Sequence, residues 1–135
     1  VSVADRDKRS VILPVLRLSQ LGFRLLATEG TAETLHRHGI SAEVVAKHTD
    51  NSGGVGGPSI VDLIRAGEVD IVINTPSGRS ARADGYQIRT ATVAADKALF
   101  TTIAQVGAAV ASLEQRPDRP QVTSLQDYAR ARAKQ

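Results

Sequence analysis

Short apolar segments typical of β-strands alternate with helix-patterned segments along nearly the whole chain. The clearest strand covers residues 69–74, a nearly continuous apolar run that is typical of a central strand buried on both faces. Strand–helix alternation favours a parallel sheet with helices on both of its faces. The pattern therefore predicts an α/β fold of three layers, α/β/α, around a central and mainly parallel five-stranded sheet.

The boundaries follow from apolar periodicity and from glycine and proline. Gly22 and Gly39 are expected to end helices, and Pro58 is expected as the first residue of a helix that stops at Gly67. Pro14 must be absorbed by a kink or by the first turns of its helix. The predicted strands are 1–4, 23–27, 41–47, 69–74 and 97–100, and the predicted helices are 6–20, 31–38, 58–66, 86–95, 101–113 and 123–131.

The chain has 135 residues, a length that fits one compact domain. We expect a single domain over 1–135, with a linker at 114–122 and a terminal helix and tail at 123–135. The first residues read as a strand whose beginning is missing, and a domain rarely opens in mid-strand. The sequence is therefore expected to be a piece of a longer chain.

Composition excludes several classes of function. There are no cysteines, so a thiolate metal site and a cysteine nucleophile are excluded, in keeping with a reducing cytoplasm. The net charge is +3, but aromatic residues make up only 3%, which leaves no platform for stacking bases. No apolar run approaches the roughly 20 residues of a membrane helix. We expect neither nucleic-acid nor membrane binding, and no metal, since His36, His38 and His48 are better explained as surface residues.

Hydroxyl and lysine side chains follow several of the predicted strands. Ligands of parallel α/β folds bind at the carboxyl ends of the strands, so these side chains are expected to lie near one another. Such groups suit a phosphate, which a helix N-terminus also attracts. Taken singly, the threonines could be turn and cap residues and the lysines solvated surface residues. We expect four residues to converge on one phosphate: Lys8, Thr28, Thr31 and Lys47.

Other polar residues follow the last two predicted strands. Asn74, Thr75 and Ser77 come after the fourth strand and could simply form its turn. Thr101 comes after the fifth strand, where a helix cap is the simpler explanation. The glycine-rich segment 49–57 is either a plain linker or a functional loop. Only their shared position at one edge of the sheet favours a ligand site. No spacing typical of a catalytic triad occurs.

Three motifs carry a resemblance to a known family: Ala27-Thr28-Glu29-Gly30-Thr31, Ile73-Asn74-Thr75-Pro76-Ser77-Gly78 and Thr101-Thr102. In this order and at this spacing they resemble the methylglyoxal-synthase-like domain at the C-terminal end of carbamoyl-phosphate synthase large chains. The resemblance covers nearly the whole chain, from Val1 to about Gln126.

The resemblance implies a regulatory role without catalytic residues. Domains of this kind bind UMP as an inhibitor and, in many bacteria, IMP or ornithine as an activator. The family's phosphate contacts fall on Lys8, Thr28, Thr31 and Lys47, and its nucleoside loop falls on Asn74, Thr75 and Ser77. Pro76 replaces a threonine of the family's motif, so one hydroxyl contact is lost. The ornithine-linked threonine falls on Thr101.

The resemblance also implies a parent enzyme. That ATP-dependent ligase makes carbamoyl phosphate from glutamine, bicarbonate and ATP for pyrimidine and arginine biosynthesis. Its cofactors would be ATP, Mg²⁺ or Mn²⁺, and K⁺, none of them in this domain. The expected partners are the remainder of the large subunit and the small glutaminase subunit.

The alternative relative is methylglyoxal synthase, a lyase acting on dihydroxyacetone phosphate. It needs a carboxylate base after a Gly-Gly pair, where this chain has Gly56-Gly57-Pro58, and a histidine after the fourth strand, where residues 80–84 contain none. Proton abstraction next to a carbonyl requires a positioned base and an acid. The missing side chains therefore argue against the lyase. The cyclohydrolase end of the bifunctional purine enzyme is a third relative, but it would continue into a much longer chain.

Overall fold

A computed structural model describes residues 1–46, 57–76, 85–115 and 122–133. A 3-10 turn, Asp5–Asp7, opens the regular structure. The strands are β1 (Leu26–Thr28), β2 (Glu43–Val45), β3 (Ile71–Ile73) and β4 (Ala98–Phe100). The helices are α1 (Lys8–Gln20), α2 (Glu29–Arg37), α3 (Ile60–Arg65), α4 (Tyr86–Ala94), α5 (Ile103–Glu114) and α6 (Leu125–Arg132).

The strands pair in parallel, as the alternation predicts. β1 pairs with β2 and β3 with β4, both in parallel register. The first residues of the chain run between the two pairs. The Val1 amino group donates to Leu26 O at 2.7 Å, and the Ser2 N–H donates to Ile73 O at 2.8 Å. This segment holds the place of the first predicted strand, although among the described residues it forms only a bridge between Ser2 and Asn74.

The core lies on both faces of the sheet. Successive side chains of a strand point to opposite faces. In β3, Ile73 joins a buried cluster with residues of α1, α2 and α5, whereas its neighbour Val72 joins a second cluster with residues of α3 and α4. The two clusters correspond to helix layers above and below the strands. The α/β class and the layered architecture are therefore confirmed.

Several element boundaries differ from the predicted ones. The second strand starts at Leu26, not at residue 23, and the helix after it starts at Glu29, two residues before Thr31. The first helix begins at Lys8 because Asp5–Asp7 is a tighter turn. Pro14 lies inside that helix, where it lacks an N–H to donate to the preceding turn.

The predicted start of α3 was wrong by two residues. The helix begins at Ile60 and is capped by Ser59, so Pro58 precedes the helix instead of opening it. Ser59 accepts from the Asp62 N–H at 3.2 Å, and the Asp62 carboxylate accepts from the Ser59 N–H at 3.0 Å. This reciprocal capping box satisfies two backbone donors that would otherwise be unpaired. The helix therefore starts after Ser59 and not at Pro58.

The terminal part of the chain is partly described. The predicted linker at 114–122 overlaps the end of α5, which continues to Glu114, and residues 116–121 lie outside the described part. Ser124 caps α6 by accepting from the Asp127 N–H at 3.1 Å. Every described residue of α6 is exposed. None of the described helices has both the length and the apolar character required to cross a bilayer.

A candidate anion-binding cleft at the carboxyl ends of the strands

A cleft of about 1010 Å³ opens beside β1 and β2. Three of the four residues that were expected to bind phosphate line it: Lys8, Thr28 and Thr31. They come from three different places, namely the first residue of α1, the last residue of β1 and the first turn of α2. We call this place the anion cleft.

Lys8 reaches across the anion cleft to the start of α2. Its side chain is 28% exposed, and its ammonium nitrogen would lie only 3.0 Å from a Cβ atom at Gly30. A side chain at position 30 would crowd the ammonium group. The glycine of the Thr28-Glu29-Gly30-Thr31 motif thus leaves room for the lysine. Lys8 Nζ also donates to Asp5 Oδ1 at 2.8 Å.

The hydroxyls of Thr28 and Thr31 lie within hydrogen-bond distance of each other, and both residues line the same cleft as Lys8. Thr28 Oγ1 donates to Thr31 Oγ1 at 3.4 Å and lies 3.3 Å from Ser2 Oγ. Thr31 Oγ1 also accepts from the Val3 N–H at 3.4 Å. The two contacts between hydroxyls and the contact with the Val3 N–H are all longer than usual hydrogen bonds, so the two hydroxyls can turn to a stronger acceptor at small cost.

The N-terminus of α2 opens at the same place. Thr28 holds the N-cap position but makes no side-chain cap hydrogen bond. Thr28 therefore occupies the cap position, but its hydroxyl does not bond an N–H group of the helix. The first N–H groups of a helix have no partner within the helix and carry a partial positive charge. With Lys8 they provide both kinds of group that bind phosphate: a cation and aligned N–H donors.

Asn74 and Thr75 hold the chain segment that forms the floor of the anion cleft. Both are buried, with 2% and 4% of their surface exposed. Asn74 Nδ2 donates to Ser2 O at 2.9 Å, and Thr75 Oγ1 accepts from the Ala4 N–H at 2.8 Å. Asn74 thus contacts the backbone of Ser2, and Thr75 contacts the backbone of Ala4. They tie the turn after β3 to the segment that leads to Lys8.

Sequence reasoning missed Arg89 and Gly85 at this turn. Arg89 Nη1 donates to Asn74 Oδ1 at 2.8 Å, and Gly85 packs so closely that its Cβ would lie 2.5 Å from the same oxygen. Gly85 has φ 88°, a left-handed conformation that glycine adopts freely. The only available signal was the glycine just before a helix, which does not reveal its neighbours.

Thr101 lies after β4, as expected, but does not cap α5. The N-cap is Thr102, which accepts from the Gln105 N–H at 3.3 Å in a second capping box. The Thr101 N–H donates to Gln105 Oε1 at 3.0 Å. The capping interpretation of Thr101 was therefore wrong by one residue.

Two expected site residues fall outside the described residues: Lys47 and Ser77. The same holds for nearly all of the glycine-rich segment 49–57, since only Gly57 is described. The chain leads to Lys47 from Ala46, which lines the anion cleft and bridges to Ser59. Pro76, the departure from the family's motif, is exposed, and its carbonyl accepts from Arg6 Nη2 at 2.7 Å.

Charges in the anion cleft are mixed. The described residues that line it include two cations, Lys8 and Arg24, and four carboxylates, Asp5, Glu29, Glu43 and Glu68. Arg24 and Glu43 form a bidentate pair, with Nε–Oε1 at 2.6 Å and Nη2–Oε2 at 2.9 Å, and the hydrogen bond from Arg24 lowers the pKa of Glu43. Because Arg24 is paired with Glu43, Lys8 is the described lining cation in the part of the cleft that contains Thr28 and Thr31, which we call the hydroxyl end.

The two described histidines do not form a metal site. His36 and His38 are exposed, and each ring contacts a backbone carbonyl, Ala42 O at 2.8 Å and Thr34 O at 2.9 Å respectively. Within the described ranges, no group of three or more histidines and carboxylates is arranged to hold a metal ion. His48 lies outside them.

The fold is that of an α/β domain, with a candidate anion cleft beside the parallel strands β1 and β2. Residues 11–101 match the MGS-like domain family, and the chain belongs to that family. This match includes Thr28, Thr31, Asn74 and Thr101, whereas Lys8 precedes it.

Several named relatives are similar in sequence to this chain over most of its length. The carbamoyl phosphate synthase large chain of Clavibacter michiganensis subsp. michiganensis is 68% identical over 132 residues, which is 98% of this chain and 12% of the relative. That of Beutenbergia cavernae is 57% identical over 134 residues, again 98% and 12%. That of Corynebacterium glutamicum is 55% identical over 115 residues, or 84% and 10%. The chain thus spans about an eighth of the length of these curated relatives.

Proposed function

We propose that this chain is the effector-binding regulatory domain of a carbamoyl phosphate synthase large chain and that it binds a nucleoside monophosphate, UMP or IMP, by its phosphate. Membership of the MGS-like family and the identity to several large chains support the parent protein. The anion cleft supports the ligand class. The proposal assigns no catalytic residue to the domain itself.

The observation that carries the proposal is the convergence around Gly30. Lys8, Thr28 and Thr31 line the same cleft, the Lys8 ammonium group lies against Gly30 in the first turn of α2, and the N-cap residue Thr28 makes no side-chain cap hydrogen bond; these observations support the proposal. A phosphate there would receive charge-assisted hydrogen bonds, which are about twice as strong as neutral ones. In the proposal, Lys47 supplies a second ammonium group from the segment that follows Ala46.

The nucleoside is assigned to the turn after β3. In the proposal, Ser77 contacts it directly. Asn74 and Thr75, whose side chains hold Ser2 and Ala4, set the position of that turn. Thr101, at the end of the neighbouring strand β4, belongs to the ornithine-linked part of the response. The exposed Pro76 offers no hydroxyl, so we expect a weaker contribution of this turn to IMP binding than a threonine would give.

The proposed role is regulation of a distant active site. The parent ligase would make carbamoyl phosphate from glutamine, bicarbonate and ATP for pyrimidine and arginine biosynthesis, in the cytoplasm and together with a small glutaminase subunit. An effector can control such a site only if it binds two states of the whole protein unequally, typically by about 1–3 kcal/mol. The isolated chain would show the binding but not this coupling.

Calorimetry on the isolated chain tests the proposal. UMP, IMP and ornithine are titrated separately, and the chain is incubated with dihydroxyacetone phosphate while methylglyoxal is assayed. We expect saturable binding of UMP or IMP and no methylglyoxal. Lys8→Met and Lys47→Ala should each weaken nucleotide binding by about tenfold, since each removes one charge-assisted contact.

Arg37→Met is the matched control. It removes an exposed cation that pairs with Glu33 on the same helix, away from the anion cleft. Its nucleotide affinity should remain within about twofold of the wild-type value. No binding of either nucleotide to the wild-type chain would refute the effector role, and formation of methylglyoxal would point to the lyase instead.

A further inference from the structure

The pairing of Asp5 with Lys8 bears on how the anion cleft is regulated. Asp5 belongs to the 3-10 turn directly before α1, and Lys8 is the first residue of that helix. Their spacing brings Asp5 Oδ1 to 2.8 Å from Lys8 Nζ. Both residues line the anion cleft. The carboxylate thus contacts the very ammonium group to which the phosphate is assigned.

We infer that Asp5 is a built-in competitor of the ligand: its carboxylate occupies Lys8 in the empty cleft and must yield when a phosphate binds. This inference rests on the proposed function of the cleft. It names Asp5 as a residue that weakens phosphate binding, whereas a simple surface ion pair would leave the affinity unchanged.

The exposures of the two partners support this assignment. The Asp5 side chain is 93% exposed and the Lys8 side chain only 28%. Asp5 can therefore turn into solvent with little loss of packing, while Lys8 is held over Gly30. Exposed ion pairs are weak, so a phosphate can displace the carboxylate readily.

Charge explains why the competition would matter. At the hydroxyl end of the cleft, the described lining residues include two carboxylates, Asp5 and Glu29, beside the one ammonium group of Lys8. The hydrogen bond from Lys8 lowers the pKa of Asp5, so this carboxylate is ionised near neutral pH. An incoming phosphate would be repelled by the negative charge of Asp5, and it would find the Lys8 ammonium group already hydrogen-bonded to that carboxylate. Removal of the charge should therefore strengthen phosphate binding.

The test compares Asp5→Asn with Asp7→Asn by calorimetry with UMP at low salt. Both substitutions change the net charge equally and lie in the same turn, but Asp7 pairs with Arg6 at 3.7 Å and does not line the cleft. We expect Asp5→Asn to tighten UMP binding by about fivefold, because two unit charges of like sign a few ångströms apart repel each other appreciably even in water. Asp7→Asn should stay within about twofold.

A second probe separates the possible failures. Inorganic phosphate is titrated into the wild-type and Asp5→Asn chains while the Gly30 amide is followed by NMR, and the same ranking of affinities is expected. If UMP and phosphate bind the wild-type chain but Asp5→Asn is no tighter, or no tighter than Asp7→Asn, the competitor role is wrong and the proposed function stands. Weaker binding by Asp5→Asn would instead make Asp5 a residue that orients Lys8. If neither ligand binds any variant, the proposed function falls and this inference falls with it.

Discussion

Lys8 and Gly30 are matched to each other: the ammonium nitrogen of the lysine lies 3.0 Å from the point where a β-carbon of residue 30 would stand. The two residues are far apart in the sequence, yet each limits what the other can be. A larger residue at position 30 would displace the ammonium group, and without the lysine the start of α2 would lose this positive charge. The first prediction follows from this contact.

Gly30→Ala should weaken ligand binding without lowering the stability of the fold. Gly30 lies in the first turn of α2, where alanine is the better helix former, and the end of the lysine side chain can move aside. The free energy of unfolding should therefore be unchanged or rise by up to about 1 kcal/mol. UMP affinity should fall severalfold, because the Lys8 ammonium group is displaced.

Denaturant unfolding and calorimetry measure the two effects. Gly107→Ala in α5 is the control, since a Cβ there would meet no atom within 4 Å. It should share any gain in stability but leave UMP affinity unchanged. Equal UMP affinities of the Gly30→Ala and wild-type chains would show that the contact with Lys8 is unimportant for binding.

Gly85→Ala should destabilise the fold for two reasons. The residue has φ 88°, and a Cβ would come within 2.5 Å of Asn74 Oδ1 and 2.9 Å of Arg89 Nη1. Left-handed backbone at a non-glycine residue costs about 1 kcal/mol, and the crowding of a buried hydrogen bond adds to it. We expect a loss of about 3 kcal/mol in the free energy of unfolding, measured by denaturant titration.

Gly39→Ala isolates the backbone contribution. Gly39 has φ 73° but open space around its missing Cβ. Its loss of stability should be about 1 kcal/mol. Similar losses for the two variants would mean that the close approach of residue 85 to Asn74 does not matter.

Thr75→Val tests the buried link between the turn after β3 and the start of the chain. The substitution preserves shape but removes the acceptor of the Ala4 N–H, which lies 2.8 Å from Thr75 Oγ1. An unpaired buried donor costs about 1–3 kcal/mol, so the free energy of unfolding should fall by that amount. Thr75→Ser keeps the hydroxyl and should lose clearly less. A valine variant as stable as the serine variant would contradict the assigned role of this hydrogen bond.

The titration of Asp5 reports the ion pair with Lys8. The hydrogen bond and the charge of Lys8 lower the pKa of the Asp5 carboxyl group. A carboxyl group whose pKa is lower in the folded protein stabilises it above the ordinary pKa, and the contribution disappears as the pH falls through the lowered value. In Lys8→Met, the pKa of Asp5 measured by NMR should rise towards its ordinary value. An unchanged titration curve would show that the ion pair is not formed in solution.

Much of the fold could be predicted because its cause is local. The apolar run at 69–74 and the alternation of strand and helix patterns indicated parallel strands between helix layers, and β3 and its neighbours confirm them. Boundaries were less predictable. The third helix starts after its cap Ser59 and not at Pro58, and Thr102 caps α5 instead of Thr101, because a reciprocal side-chain contact with the third helical residue decides each start.

The candidate site, like the fold, could be predicted from the sequence only in part. Sequence alone determined that Thr28 and Thr31 would lie at the carboxyl end of a strand, since parallel topology brings those ends to one edge. Only the tertiary structure decided that Lys8 rests over Gly30 with Asp5 as its partner, and that Asn74 is held between Ser2 and Arg89. The reason is physical: periodicity and turn chemistry act over a few residues, whereas these contacts depend on how separate segments pack in space.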